Sequence, residues 1–113
     1  MSQSDERKDF EDFITALDAM NELAQSFWDQ DEPVRACLTE AQIYESSKKI
    51  LGEEHPGTLN AMHNYALGLA KTGHDKEAAD ILNSYLETAD RIERRKEEKK
   101  EFVRTVSNGI ADK

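Results

Sequence analysis

Apolar residues recur at intervals of three and four in four segments of the chain, the spacing that places them on one face of an α-helix. The first two stripes are Phe10, Phe13, Ile14, Leu17, Met20, Ala24 and Phe27, then Val34, Cys37, Leu38, Ala41, Tyr44 and Leu51. The other two are Leu59, Met62, Tyr65, Ala66 and Leu69, then Ala78, Ile81, Leu82, Tyr85, Leu86, Ala89 and Ile92. Polar residues fill the remaining positions, so the pattern predicts four amphipathic helices and no strands.

Short turn signals separate these segments. Ser4 is a candidate N-cap for the first helix, and Pro33 suits the first turn of the second. Gly52 is expected to end the second helix in a left-handed conformation, Pro56 lies near the start of the third, and Gly73 ends it. Helices joined by such short turns pack as antiparallel hairpins, so we predict an all-α fold of this kind.

An internal repeat relates the two predicted hairpins. When the sequence is shifted by 42 residues, residues 17–50 align with residues 59–92 without a gap. Ala24 then falls on Ala66, and Ala36 falls on Ala78. Small residues at these positions would let paired helices approach closely, and repetition of a helical hairpin is typical of a solenoid.

The stretch LGEEHPGTLNAMHNYA, residues 51–66, resembles the kinesin-light-chain type of tetratricopeptide repeat. Gly73, Glu77 and Ala78 stand at later landmarks of that repeat, while Tyr65, Leu69 and Asp75 depart from its usual residues. The resemblance covers residues 51–92 and is faint over 15–50. It implies one domain over 1–113, a fragment of an α-solenoid, with a degenerate repeat at 5–52, a second repeat at 53–92 and a helical extension or cap at 93–110.

The resemblance also implies a binding surface, because the first helix of each such hairpin lines a concave face that receives an extended peptide. The residues expected there are Asn60, His63, Asn64, Leu67 and Lys71, with Asn64 at the family's asparagine position. The same phase carried back by 42 residues gives Asp18, Asn21, Glu22, Gln25 and Asp29. This second set is acidic, which favours a partner peptide or protein with basic residues. Trp28 lies at the edge of this face, as a core residue or as an interface anchor.

The C-terminal segment allows two interpretations. Residues 91–101 contain no helix breaker and pair opposite charges at helical spacing, as in Glu93 with Lys96, Arg94 with Glu98 and Glu97 with Lys100. The fourth helix could continue as a charged rod whose apolar tip packs as a cap. Alternatively, it could dimerise as a coiled coil, whose seam Lys96 and Lys99 would interrupt. In both cases Asn108-Gly109 is expected to end the helix.

Composition narrows the class of protein. The chain has 113 residues, enough for one domain, and its net charge of −9 disfavours nucleic acid and anionic membrane as partners. The single cysteine, Cys37, fits a reducing compartment, and the N-terminus lacks the basic and apolar regions of a signal peptide. We therefore expect a soluble, cytoplasmic protein.

Motifs for catalysis or cofactor binding are not evident. His55, His63 and His74 do not share metal-ligand spacing, and Cys37 aligns with Ala79, as a small interior residue would. We therefore predict no enzyme activity, no metal and no cofactor, and expect an adaptor that binds a peptide or protein. An acidic inhibitor or antitoxin-like protein is the main alternative, and a subunit that self-assembles through its end faces or C-terminal helix is a third. If the protein binds a peptide in the groove, Asn64→Ala or Lys71→Ala should abolish binding of the partner. If it is an acidic inhibitor, neither substitution should affect binding.

Overall fold

Four α-helices account for almost all of the chain in the computed structural model, which describes residues 3–111 and the side chains of residues 5–110. They are α1 (Gln3–Asp29), α2 (Pro33–Leu51), α3 (Pro56–Lys71) and α4 (Asp75–Ala111). No strand occurs between residues 3 and 111. The prediction of an all-α fold built from helical hairpins is confirmed.

The turns follow the residues that the sequence singled out. Pro33 and Pro56 are the first residues of α2 and α3, and the His55 side chain caps α3 because its Nδ1 accepts a hydrogen bond from the Gly57 N–H at 2.9 Å. Gly52 ends α2 with φ +96° and ψ 162°. This backbone conformation is open essentially to glycine alone, but it is extended and not the left-handed helical cap that we expected.

Two predicted helix ends are wrong. Helix α1 is already helical at Gln3, so Ser4 is not its N-cap residue; the Ser4 side chain lies outside the described part. Helix α4 runs through Asn108-Gly109 to Ala111. A glycine within a helix costs only about 1 kcal/mol relative to alanine, so it ends a helix only where the chain also turns.

Helix α2 lies between α1 and α3, and the close backbone contacts of α4 are with α3. The main core joins the first three helices and consists of Leu17, Ala24, Ile43, Tyr44, Ala61 and Met62. A second buried cluster, Cys37, Leu69 and Ala78, continues it toward α4. The order of contacts follows the order of the chain, so each hairpin packs on the next.

The two hairpins match each other at the 42-residue offset. Ala24, Ala36, Ala66 and Ala78 are all buried, at 4% exposure or less. The turns match as well: Asp31 and Gly73, 42 positions apart, both have positive φ, at 58° and 86°. The solenoid itself remains a prediction, since two hairpins do not establish a superhelix.

Beyond residue 92, α4 extends past the buried core of the hairpins. We call residues 93–110 the C-terminal projection; every one of them is exposed. At its base, Glu54 forms ion pairs with Arg91 and Arg95. The expectation that the apolar tip packs as a cap is wrong, because α3 has only 16 residues and ends its contact with α4 long before the tip.

Surface ion pairs along the projection follow the predicted spacing in part. Lys96 pairs with Glu93 and Lys100 pairs with Glu97, each at 3.4 Å, but Arg94 pairs with Asp90 at 3.2 Å and not with Glu98.

Within residues 3–111, no helix combines the length and the apolar character needed to cross a membrane.

Candidate functional site

A cleft of about 360 Å³ opens between α1 and α3, over a floor that α2 contributes to. We call it the α1–α3 groove. Its lining comprises Asn21, Ala24, Gln25, Trp28, Glu40, Asn60, Asn64, Leu67, Gly68 and Lys71. A smaller cavity of about 210 Å³ adjoins it, shares Asn21 and Asn60, and includes Asp18. The two cavities lie side by side along the first helix of each hairpin, α1 and α3.

Six of the ten residues predicted for the binding surface line the groove. They are Asn21, Gln25, Asn60, Asn64, Leu67 and Lys71. Asp18 lines only the adjoining cavity. Four of the five residues predicted on α3 therefore line the groove, and two of the five predicted on α1 do so.

The remaining three lie elsewhere. Glu22 and Asp29 are exposed on α1 but line neither cavity, and the His63 ring lies 5.8 Å from the Tyr85 ring of α4. A shift by one repeat places equivalent residues on equivalent sides of α1 and α3. Of these equivalent pairs, Gln25 and Leu67 both line the groove. Glu22 is the repeat equivalent of Asn64, yet it is exposed and lines neither cavity.

Four amide side chains line the groove, but they differ in what they already bind. Asn21 donates to the Leu17 carbonyl oxygen at 3.1 Å, and Gln25 donates to Asp29 at 3.0 Å. Asn60 and Asn64 make no side-chain hydrogen bond with any residue that the structure describes. Their donors and acceptors are therefore available to a ligand.

Glu40 of α2 is the groove residue that sequence reasoning missed. Its Oε1 accepts a hydrogen bond from Trp28 Nε1 at 2.8 Å, while its Oε2 is buried without a hydrogen-bond partner. Burial raises the pKa of the Glu40 carboxyl; the hydrogen bond from Trp28 and the charge of Lys71 oppose that increase. The repeat alignment could have revealed Glu40, because its repeat equivalent is Leu82. A carboxylate therefore occupies a position that is apolar in the other repeat.

Gly68 and Lys71 of α3 complete this corner. A Cβ atom built on Gly68 would overlap Glu40 Oε2, so the absence of a side chain there makes room for the carboxylate. The Lys71 ammonium lies over the Trp28 ring, 4.8 Å from its centroid, which is cation–π geometry. Trp28 is therefore held at its edge by Glu40 and covered on one face by Lys71.

Other candidate chemistry is sparse. Among the described residues, no group of three His, Cys, Asp or Glu could hold a metal ion. Cys37 is buried as predicted, and burial raises the pKa of its thiol, which disfavours a reactive thiolate. Its repeat equivalent Ala79 is exposed, since the close backbone contacts of α4 are with α3, whereas α2 lies between two helices.

Comparison with protein-family models, with curated proteins and with solved structures yields no match for this chain.

Proposed function

We propose that this protein is an interaction module of the tetratricopeptide type, which binds an extended peptide segment of a partner in the α1–α3 groove. The observation that carries the proposal is the pair of asparagines, Asn60 and Asn64, which line the groove and whose side-chain amides make no hydrogen bond with the described residues. They are one helical turn apart on α3, so they present donors and acceptors in a row along the groove.

An extended peptide matches this arrangement chemically. Its backbone offers one N–H and one C=O per residue, and an asparagine amide can pair with both. The sequence resemblance at residues 51–66 supports the same binding mode, since it places Asn64 at the repeat family's asparagine position.

The charge of the proposed ligand is inferred from the carboxylates that line the two cavities. Asp18 lies in the adjoining cavity and Glu40 in the groove, within a chain of net charge −9. Opposite charges at a binding surface steer association and select partners. The proposed ligand is therefore a peptide with lysine or arginine, and the proposed activity is binding without catalysis.

The test begins with selection of peptides from a random phage-displayed library on the full chain. Affinities of a selected peptide are then measured by fluorescence anisotropy for the wild type and for Asn60→Ala/Asn64→Ala. Glu22→Ala is the matched control, because Glu22 is the repeat equivalent of Asn64 on α1 and lines neither cavity. We expect the double variant to lose at least tenfold in affinity and the control to change less than twofold. Equal affinities of all three proteins would refute the groove proposal and favour the acidic-inhibitor alternative.

A second candidate function is self-association through the C-terminal projection. Phe102, Val103, Val106 and Ile110 are between 44% and 69% exposed, an apolar stripe that nothing in the described chain covers. Residues 91–110 hold seven Lys or Arg against four Glu, whereas the start of α1 carries Asp9, Glu11 and Asp12. This charge complementarity points to a second copy of the chain as the occupant, with its acidic α1 beside the basic projection.

Sedimentation velocity tests this second proposal. A concentration-dependent dimer of the wild type that is lost on Val103→Glu/Val106→Glu, but kept on Thr105→Glu, would support it. A monomer at all concentrations would refute it.

A further inference from the structure

One corner of the α1–α3 groove carries opposite charges that do not pair directly. The Glu40 carboxylate has one oxygen on the Trp28 indole and the other without a donor. The Lys71 ammonium lies over the same indole, yet no carboxylate oxygen of the described residues is within ion-pair distance of it. An aromatic face beside a carboxylate is a cation site, and here a side chain of the protein occupies it.

We propose that this corner, formed by Trp28, Glu40 and Gly68, is a subsite for the cationic side chain of an arginine or lysine in the bound peptide, and that Lys71 occupies it until the ligand displaces it. The inference rests on the proposed groove function and specifies its ligand. It also reverses the sequence-based expectation for Lys71, which becomes a competitor of the ligand and not a contact to it.

Three features of the corner support this role. Trp28 is fixed at its edge by the hydrogen bond to Glu40, so its ring presents a constant face to the groove. Gly68 leaves room for the carboxylate at the edge of the ring, where a Cβ atom would overlap Glu40 Oε2. Lys71 is exposed and is the last residue of α3, so its side chain can leave the ring without disturbing the core.

Occupation by Lys71 lowers the apparent affinity for an external cation. When a site is free for only a fraction of the time, the apparent dissociation constant rises by the inverse of that fraction. Removal of the Lys71 ammonium should therefore strengthen the binding of a cationic ligand. Removal of the Glu40 charge should weaken it, since the ring alone holds a cation less well.

The experiment uses the single tryptophan of the chain as its reporter. The indole N–H of ¹⁵N-labelled full chain gives one NMR resonance, which is followed during titration with the peptide acetyl-Gly-Arg-Gly-amide. The same peptide with citrulline, a neutral isostere of arginine, is the control ligand. The proteins are the wild type, Lys71→Met, Glu40→Gln and the matched control Lys76→Met, which removes an exposed lysine outside the groove.

We expect saturable shifts with the arginine peptide only, a dissociation constant at least threefold lower for Lys71→Met, and one at least tenfold higher for Glu40→Gln. Lys76→Met should match the wild type within twofold. Equal shifts with the citrulline peptide, or a Lys71→Met variant that binds no better than Lys76→Met, would overturn the proposal.

The result of this experiment is independent of the result of the groove test. Asn60→Ala/Asn64→Ala should lower the affinity for the arginine tripeptide much less than Glu40→Gln does, because the tripeptide is held by its arginine in the corner. If the tripeptide binds as expected while selected peptides ignore the asparagines, the subsite stands and the groove proposal falls. If selected peptides need the asparagines while the tripeptide does not bind, the subsite falls alone.

Discussion

Substitution of Gly68 by alanine sets two known effects against each other. Alanine in place of glycine inside a helix is favourable by about 1 kcal/mol. The new methyl group, however, would overlap Glu40 Oε2 and force the carboxylate away from α3. Such a movement disrupts the hydrogen bond from Trp28 Nε1, which is 2.8 Å long in the structure.

A hydrogen bond to a charged group contributes about 1.5–3 kcal/mol. Its loss exceeds the helix-propensity gain, so we expect Gly68→Ala to destabilise the protein by about 0.5–2 kcal/mol. In a Glu40→Ala background neither the overlap nor the hydrogen bond exists, and the same substitution should then stabilise by about 1 kcal/mol. The sign of the effect should thus reverse between the two backgrounds.

Urea unfolding followed by circular dichroism gives the four free energies of this cycle. The indole N–H resonance of Trp28 provides an independent measure of its hydrogen bond. If Gly68→Ala stabilises the wild type by about as much as it stabilises the Glu40→Ala variant, with an unchanged indole resonance, Glu40 is not held between Trp28 and Gly68.

Three further predictions concern the core, the base of the C-terminal projection and two glutamates that lie outside the groove. Ala66→Leu should destabilise by about 1–3 kcal/mol in urea unfolding, because Ala66 is 1% exposed, whereas Ala79→Leu on the open side of α4 should change little. Hydrogen bonds and charge from its two arginine partners lower the pKa of Glu54, so the stabilisation it provides is present above the ordinary glutamate pKa and is lost as pH falls through the lowered value. Glu54→Gln should therefore flatten the dependence of stability on pH in that acidic range, and an unchanged profile would contradict the ion pair's role. Glu22→Lys and Glu97→Lys should both weaken peptide binding only slightly and in a salt-dependent way, since both residues lie outside the groove. A large, salt-independent loss of affinity for Glu22→Lys would show that the ligand contacts α1 outside the groove.

The turns and the alanine contacts were predictable because they depend on local chemistry. Pro33 and Pro56 fix helix starts, and the buried alanines recur at the repeat offset. Asn108-Gly109 was misread for a related reason: the same dipeptide is tolerated within a helix that has no turn to make.

The binding surface was only partly predictable. The repeat offset placed Asn64 and Glu22 at equivalent positions, but in the structure Asn64 lines the groove and Glu22 does not. Glu40 could not be assigned from helical periodicity, because its role depends on Trp28 and Gly68, which the fold brings to it from two other helices. The unpacked tip of α4 likewise depends on the lengths of α3 and α4, which the apolar stripes alone did not define.

The most direct test of the central claim is chemical-shift mapping of a selected basic peptide on the full chain. The account predicts that the side-chain amides of Asn60 and Asn64 and the indole N–H of Trp28 shift together during titration. Residues of the C-terminal projection should keep their resonances. Shifts confined to residues 102–110, with the resonances of the two asparagines and the tryptophan unchanged, would contradict it.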